Sequence, residues 1–271
     1  MSKMSDRKYL LANQYHDSSN LDARVQLHRR FSTNKYDWFL WAFEQLDIPP
    51  QSRILELGCG PGGLWLENSH RIPDGWEIVL SDLSRGMLQD AQWDLGANQQ
   101  RFHFVVVDAQ SIPFQDESFD AVIANHVLYH VPDRMAAFSE IHRLLRPSGR
   151  FFAATNGRTH LQELRELMER FDPNIVFGTR DYSFGLENGS AQLSKWFRKV
   201  QLRRYKDSLA VTEVDPLVAY IMSSIGNAEA VFTGDKLAAL VTSIEREITS
   251  QGAIHIIKDV GIFEAIRDEA V

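Results

Sequence analysis

From Arg53 to Trp65 the chain reads RILELGCGPGGLW, a short apolar run that opens directly into glycine. This junction constrains the fold more than any other stretch. Three glycines in five residues let a backbone turn sharply and approach a ligand closely. The pattern around the junction repeats. Ile54–Leu57 reads as a buried strand, followed by the loop and a helix through about Ser69. Further strands are expected at Glu77–Leu80, Phe102–Val107, Phe119–Ala124 and Arg150–Thr155. A helix should run from an N-capping Ser84 to Leu95, and another carries the stripe Ala137, Phe138, Ile141, Leu144 and Leu145, closed by Pro147 and Gly149. Strand-helix alternation of this kind makes a parallel sheet with helices on both faces. Its crossovers are right-handed, so the ligand crevice lies at the carboxyl ends of the strands, near the first.

The sheet core is therefore expected at about 51–155. Ahead of it, Phe39, Ala42, Phe43 and Leu46 share one helical face that ends at Pro49-Pro50, so residues 1–50 are expected to form a helical cap. Beyond Thr155, Leu161, Leu164, Leu167, Met168 and Phe171 mark a helix, and Asp172–Ser190 reads as irregular. A strand follows at Val200–Val211, then helices at Leu217–Ser224 and Leu237–Ile248, then an extended segment Ile254–Ile266 in which Gly261 suggests a bulge. Residues 172–250, within a domain spanning 51–271, would supply the other wall of the site.

Composition narrows the partners. The 271 residues are 44% hydrophobic and 24% charged, enough to bury a full core. A net charge of −7 argues against a nucleic-acid partner, and the densest basic run, RKVQLRRYK at 198–206, reads as a solvated strand face. The lone Cys59 excludes an intramolecular disulfide and a cysteine zinc cluster, which suits a reducing cytoplasm. The polar start does not read as a signal peptide. No stretch approaches the apolar length needed to cross a membrane. Nothing in the pattern speaks to oligomeric state.

The tips of the strands carry the chemistry. Gly58, Gly60 and Gly63 satisfy G-x-G-x-x-G, but that pattern alone fits several ligands. Glu56 decides between them: a carboxylate two residues before the loop is a poor neighbour for a pyrophosphate and a good one for a cation. S-adenosylmethionine carries an ammonium and a sulfonium and no phosphate. Asp82, ending the second strand 24 residues after Gly58, is placed to accept from ribose hydroxyls. Asp108 and Ala109 can accept from an adenine amino group and donate to a ring nitrogen, with Leu83 and Ile112 sandwiching the ring. Asn125 ends the fourth strand.

These residues together resemble the class I S-adenosylmethionine-dependent methyltransferases, in particular the branch that includes ubiquinone and menaquinone biosynthesis and many small-molecule enzymes. The carriers are ILELGCGPG (54–62), VLSDLS (79–84), VVDAQSIPFQDESFDAVIANHVLYHVPD (106–133) and EIHRLLRPSGRFFAAT (140–155), in order over about 100 residues. The resemblance implies an α/β, doubly wound, Rossmann-like sheet of seven mostly parallel strands, order 3-2-1-4-5-7-6 with strand 7 antiparallel. Strand 6 falls at about 200–211 and strand 7 at about 254–266. It implies that Glu56, Gly58 and Gly60 hold the methionine end, Asp82 the ribose, Asp108 and Ala109 the adenine, and Asn125 the region near the sulfonium. The run NHVL (125–128) replaces the N-P-P-Y-like run of nucleobase amine methyltransferases and argues against that activity.

The expected reaction is in-line transfer of a methyl group to a small-molecule acceptor in a closed site. Alignment alone can supply roughly 7–11 kcal/mol of the barrier. A base is needed only for a protonated acceptor, and contributes about 10²–10⁴-fold. The candidates are His126 and His130, which share a face if the turn after the fourth strand is helical. No third metal ligand lies near them, so no metal is expected. In the cap, Tyr15 and His28 are candidate substrate residues, and Arg29 or Arg30 could pair with the methionine carboxylate. Trp38 and Trp41 read as cap packing. Two other readings use the same loop: a nicotinamide-dependent oxidoreductase, and a non-catalytic module that binds S-adenosylmethionine.

Overall fold

The computed structural model describes residues 16, 18–178, 183–225 and 227–269. Seven strands form one sheet: β1 (Ser52–Leu57), β2 (Trp76–Asp82), β3 (Phe102–Val106), β4 (Phe119–Asn125), β5 (Leu145–Asn156), β6 (Arg198–Val211) and β7 (Ile254–Ile266). Their order is β3-β2-β1-β4-β5-β7-β6. Strands β1 to β5 run parallel, and β7 is antiparallel to both β5 and β6. The expected topology is the observed one.

Adjacent residues of a strand point to opposite faces, and β1 is apolar on both. Leu55 and Leu57 pack with Val122, Phe138 and Ile141 on one side, and Ile54 packs with Leu64, Trp65, Leu88 and Ile123 on the other. Such a strand belongs at the centre of a covered parallel sheet. The described helices are α1 (Ser19–Phe31), α2 (Trp38–Glu44), α3 (Gly63–Glu67), α4 (Arg85–Leu95), α5 (Arg134–Leu144), α6 (Gln162–Phe171), α7 (Gly189–Leu193), α8 (Val214–Ser224), α9 (Ala228–Val231) and α10 (Asp235–Gln251). Side-chain caps start several of them. The Met87 N–H donates to Ser84 Oγ at 3.2 Å, the Ala136 N–H to Asp133 Oδ1 at 3.0 Å, and the Phe39 N–H to Asp37 Oδ1 at 2.7 Å.

Three local expectations change. The helix before β5 stops at Leu144, and β5 starts at Leu145 instead of Arg150. Pro147 and Gly149 do not make a loop; they sit in a register jump of the β4–β5 ladder between Phe119 and Ala121. Ser148 takes φ 62° there. Gly261 is not a bulge, because it pairs in register with both Thr155 and Arg204. It is glycine because a Cβ would lie 2.6 Å from the Arg203 carbonyl oxygen. The irregular segment after Asp172 ends in the short helix α7.

The described residues ahead of β1 divide between two cores. Ala42, Phe43 and Leu46 pack with Trp65 and Trp76 against the sheet. Leu27 and Phe31 of α1 pack instead with Leu164, Leu167, Leu217, Ile221 and Ile244, from α6, α8 and α10. Ser32 bridges Leu209 of β6, tying this second core to the far edge of the sheet. The basic run on β6 is largely ion-paired: Arg198 with Asp268, Arg203 with Glu264 and Arg204 with Asp259. No described helix is long and apolar enough to cross a membrane.

Candidate functional site

Gly58, Gly60 and Gly62 have φ of 69°, 54° and 79°, the left-handed region that other residues enter only at a cost. Gly58 has a second constraint: a Cβ there would lie 2.6 Å from Val127 Cγ2. The loop therefore presses on the turn after β4 and couples two strand tips. The Cys59 N–H donates to the Ser81 carbonyl at 2.9 Å. Cys59 is buried in the loop, and burial pushes its thiol pKa up, so it is a packing residue.

Glu56 is 2% exposed. The Trp65 indole N–H donates to its Oε2 at 2.5 Å, and the Asn125 amide donates to its Oε1 at 3.1 Å. Both partners are neutral. Burial pushes the Glu56 carboxyl up to about 7, against those two hydrogen bonds. A desolvated carboxylate with only neutral donors is short of a cation. Asp82 accepts from the Gly60 N–H at 3.0 Å and the Ser84 N–H at 2.8 Å. Burial raises its pKa too, and the backbone donors oppose that. Asp108 Oδ1 accepts from the Gln110 N–H and side-chain amide, both at 3.0 Å.

These groups border one cavity of about 1750 Å³, together with Gly58, Gly60, Leu83, Ala109 and Asn125. Ile112, expected to sandwich a ring with Leu83, is packed in the core and does not border it. Its N–H donates to Glu140, which draws it inward.

The same cavity extends past Asn125 to a second end. His126 takes φ 54°, and only one 3-10 turn, Leu128–His130, follows it. The two candidate histidines therefore do not ride a common helical face. The break lies at His126, whose left-handed backbone precedes the turn, while Val127 keeps helical angles and packs close to Gly58. The His126 ring lies 5.4 Å from that of Trp38, tilted by 56°, and burial, then Lys258, then His130 push its pKa down to about 4. His130 lies 4.5 Å from the Tyr129 ring. His126, His130 and His28 all border the cavity. Tyr15 lies outside the described residues. Arg29 borders the cavity but pairs with Glu67, and Arg30 pairs with Glu213 at 2.6 Å on the exterior. Trp38 is both packing and lining: it meets Trp41 at 5.3 Å and Tyr205 at 5.4 Å.

Several residues that line or support the site gave no sequence signal. Trp65 sits nine residues after Glu56 with nothing in its local pattern to link them. His160 follows β5, and the Lys258–Asp207 pair joins β7 to β6. Alternation on β6 and β7 marks which side chains turn inward, and that signal could have flagged Lys258 and Tyr205. His160 has no such marker. Among the described residues no cluster of three histidine, cysteine or acidic side chains could hold a metal ion.

Known proteins match this picture. A family model described as a methyltransferase domain matches residues 55–153. The biotin biosynthesis bifunctional protein of Saccharophagus degradans is 25% identical over 272 residues, covering 92% of this chain and 45% of that one. The ubiquinone/menaquinone biosynthesis C-methyltransferase of Vibrio parahaemolyticus is 30% identical over 141 residues, covering 51% and 54%. The chain thus spans about half the length of these curated relatives. Phosphoethanolamine N-methyltransferase 2 of Haemonchus contortus, solved with S-adenosyl-L-methionine, superposes with a TM-score of 0.59 at 19% identity, over 97% of this chain and 60% of that one. That likeness is one of fold.

Proposed function

Because the chain belongs to the class I S-adenosylmethionine-dependent methyltransferases by domain sequence and topology, we propose that it transfers the methyl group of S-adenosylmethionine to a small organic acceptor. The observation that carries this reading is Glu56. It is a buried carboxylate with neutral hydrogen-bond partners only, facing a cavity with room for a nucleoside and an acceptor together, which fits an ammonium and repels a pyrophosphate. The same feature disfavours a nicotinamide dinucleotide at this loop.

The residue roles follow from position. Glu56 takes the methionine ammonium, and the glycine loop gives its backbone a close approach at Gly58 and Gly60. Asp82 accepts from the ribose hydroxyls. Asp108 and the Ala109 N–H face the adenine edge, with Leu83 against the ring. Asn125 orients Glu56 and borders the sulfonium. S-adenosylmethionine supplies a methyl group made electrophilic by positive sulfur. The protein aligns that methyl with the acceptor and excludes water around it.

Residues 1–50 and 172–250 serve as cap and acceptor wall in this reading. The lining from Leu21 to His28 and from Asp172 to Phe177 supports it, as does α1 packing on α8. His126 is neutral at pH 7 and stands next to Asn125, so it orients the acceptor or takes its proton. His130 is the alternative at the mouth of the same turn.

The test is calorimetric titration with S-adenosylhomocysteine. Saturable binding is expected, with at least tenfold loss for Asp82→Ala. No detectable heat at millimolar ligand defeats the reading. Incubation of the protein with methyl-labelled S-adenosylmethionine and a metabolite extract then separates an enzyme from a binding module: label must move to a small molecule.

A further inference from the structure

The far end of the cavity has a chemistry of its own. His28 comes from α1 and His160 from the turn after β5, yet their rings lie 6.4 Å apart at an interplanar angle of 29°. Both border the cavity. The Nδ1 atom of each is sealed from solvent and has no hydrogen-bond partner. The Nε2 edges are then the ones left to meet the open space. A neutral imidazole carries its proton on one nitrogen only. A sealed lone pair is tolerated better than a sealed orphan N–H, so the proton belongs on Nε2.

Resting on the reading above, we propose that His28 and His160 hold an anionic oxygen of the methyl acceptor, each donating an Nε2–H hydrogen bond to it, and that the acceptor is a flat organic anion: a carboxylate, phenolate or enolate.

The surroundings choose this class. Facing the pair are Lys258 from β7, Asp207 from β6, Arg165 from α6, His126 from the turn after β4 and Tyr220 from α8. Asp207 is the carboxylate at this end, and it is already engaged by Lys258, the Ser32 hydroxyl and the Asn34 N–H. Among the described residues Asp207 is the one carboxylate that acts on His28, and none acts on His160; Asp37, which also borders the cavity, caps α2 through the Phe39 N–H. Arg165 is buried, and its guanidinium donates to the His160 and Arg158 carbonyls, not to a carboxylate. Among the described residues it has no ion-pair partner. Burial first, and Lys258 next, hold His28 at about 3, and burial with His28, His126, Lys258 and Arg165 holds His160 well down. The pair therefore stays neutral, a donor set that adds no charge of its own. The rings of Trp38, Tyr205 and Tyr220 line this end and suit a flat ligand. Held this way, the oxyanion needs no base: its electron pair forms the new bond to the methyl carbon, and the carbon–sulfur bond breaks with its pair going to sulfur.

The experiment titrates the full chain, saturated with S-adenosylhomocysteine, with benzoate, 4-nitrophenolate or benzylammonium. Benzoate or 4-nitrophenolate should bind saturably, the tighter of the two identifying carboxylate or aryl oxide, and benzylammonium at least tenfold more weakly. His28→Leu and His160→Leu should each weaken the anion at least tenfold. His28→Gln and His160→Gln, whose amide stands where Nε2–H stood, should stay within about threefold. Benzoate affinity should be flat between pH 6 and 8; charged imidazoles of ordinary pKa would lose more than tenfold over that range. Preferential benzylammonium binding, no saturable anion binding, or equal loss in the Leu and Gln variants overturns the proposal. S-adenosylhomocysteine affinity is read in the same cell. If it persists while the anions fail, only this subsite falls; if it is absent from the wild type, the methyltransferase reading falls first. Should a Leu variant fail to fold, the Gln variants and the pH series still decide.

Discussion

The two ends of the cavity solve opposite electrostatic problems. The donor end is acidic: Glu56, Asp82 and Asp108 sit at the tips of β1, β2 and β3, held by backbone N–H groups, an indole and amides. The acceptor end is basic and aromatic, with Lys258, Arg165 and histidines that burial keeps uncharged. The donor end comes from about 70 consecutive residues of one sheet. The acceptor end is collected from α1, the turn after β4, α6, α8 and the β6–β7 pair. One cavity thus has an end lined by carboxylates and fixed by local sequence, and an end lined by histidines, aromatic rings and Lys258 and fixed by packing.

Lys258→Met should be the most damaging way to break this polarity. It strips the ammonium from Asp207, whose side chain is fully buried. Removing one partner of a buried pair costs about 3–5 kcal/mol. Burial pushes the Asp207 carboxyl up, but Lys258, Ser32 and Asn34 more than offset it and hold the pKa below the usual range. That depressed pKa stabilises the fold above the unfolded value and loses its effect as pH falls through the folded one. The Met variant should therefore lose most at pH 7, with the difference from wild type shrinking as pH falls below the ordinary carboxylate range, read by urea unfolding. S-adenosylhomocysteine affinity of the folded fraction should hold.

Glu56→Gln probes the opposite end. The Glu56 pKa is raised to about 7 by burial, so the folded chain binds a proton that the unfolded chain has released. Stability of the ligand-free wild type should then fall as pH rises from about 4.5 to 7, by on the order of 3 kcal/mol. Asp82, raised for the same reason, acts with the same sign. The Gln variant should flatten most of that slope in thermal melts at pH 5 and 8, yet bind S-adenosylhomocysteine at least tenfold more weakly. A variant that binds as well as the wild type would show that Glu56 does not meet a cation.

Asp82→Ala should cost at least tenfold in the same titration, about 1.4 kcal/mol, and also frees the Gly60 and Ser84 N–H groups. Arg30→Ala should do least. The Arg30–Glu213 pair joins α1 to the start of α8 in the open, with side chains 46% and 52% exposed, and such pairs are worth about 0.2–1 kcal/mol. Binding at both ends should be unchanged. A large loss would mean that the exterior of α1, not its core side, sets the acceptor end.

The contrast explains what could be read in advance. The parallel sheet, the glycine loop and the position of Glu56, Asp82, Asp108 and Asn125 at strand ends were legible because each rests on a period or spacing within one βα unit, while the strand order was legible only through the resemblance of the whole motif set. His126 and His130 were visible as residues, but their expected common helical face was not formed, since His126 takes a left-handed backbone and only the short turn Leu128–His130 follows it. Gly261 read as a bulge because sequence shows that a side chain is missing and not what fills its place. Arg29 and Arg30 were visible as charges, yet their carboxylate partners lie 38 and 183 residues away.

By itself the sequence determined a parallel sheet with an acid at the tip of each of its first three strands, because strand periodicity, glycine conformation and loop length act over a few residues. Only tertiary structure decided which imidazoles lose their charge and which cations keep theirs. Those outcomes depend on how completely water is removed from a group and on what stands within a few ångströms of it. His28, His160 and Lys258 meet only once α1 has closed over β6 and β7.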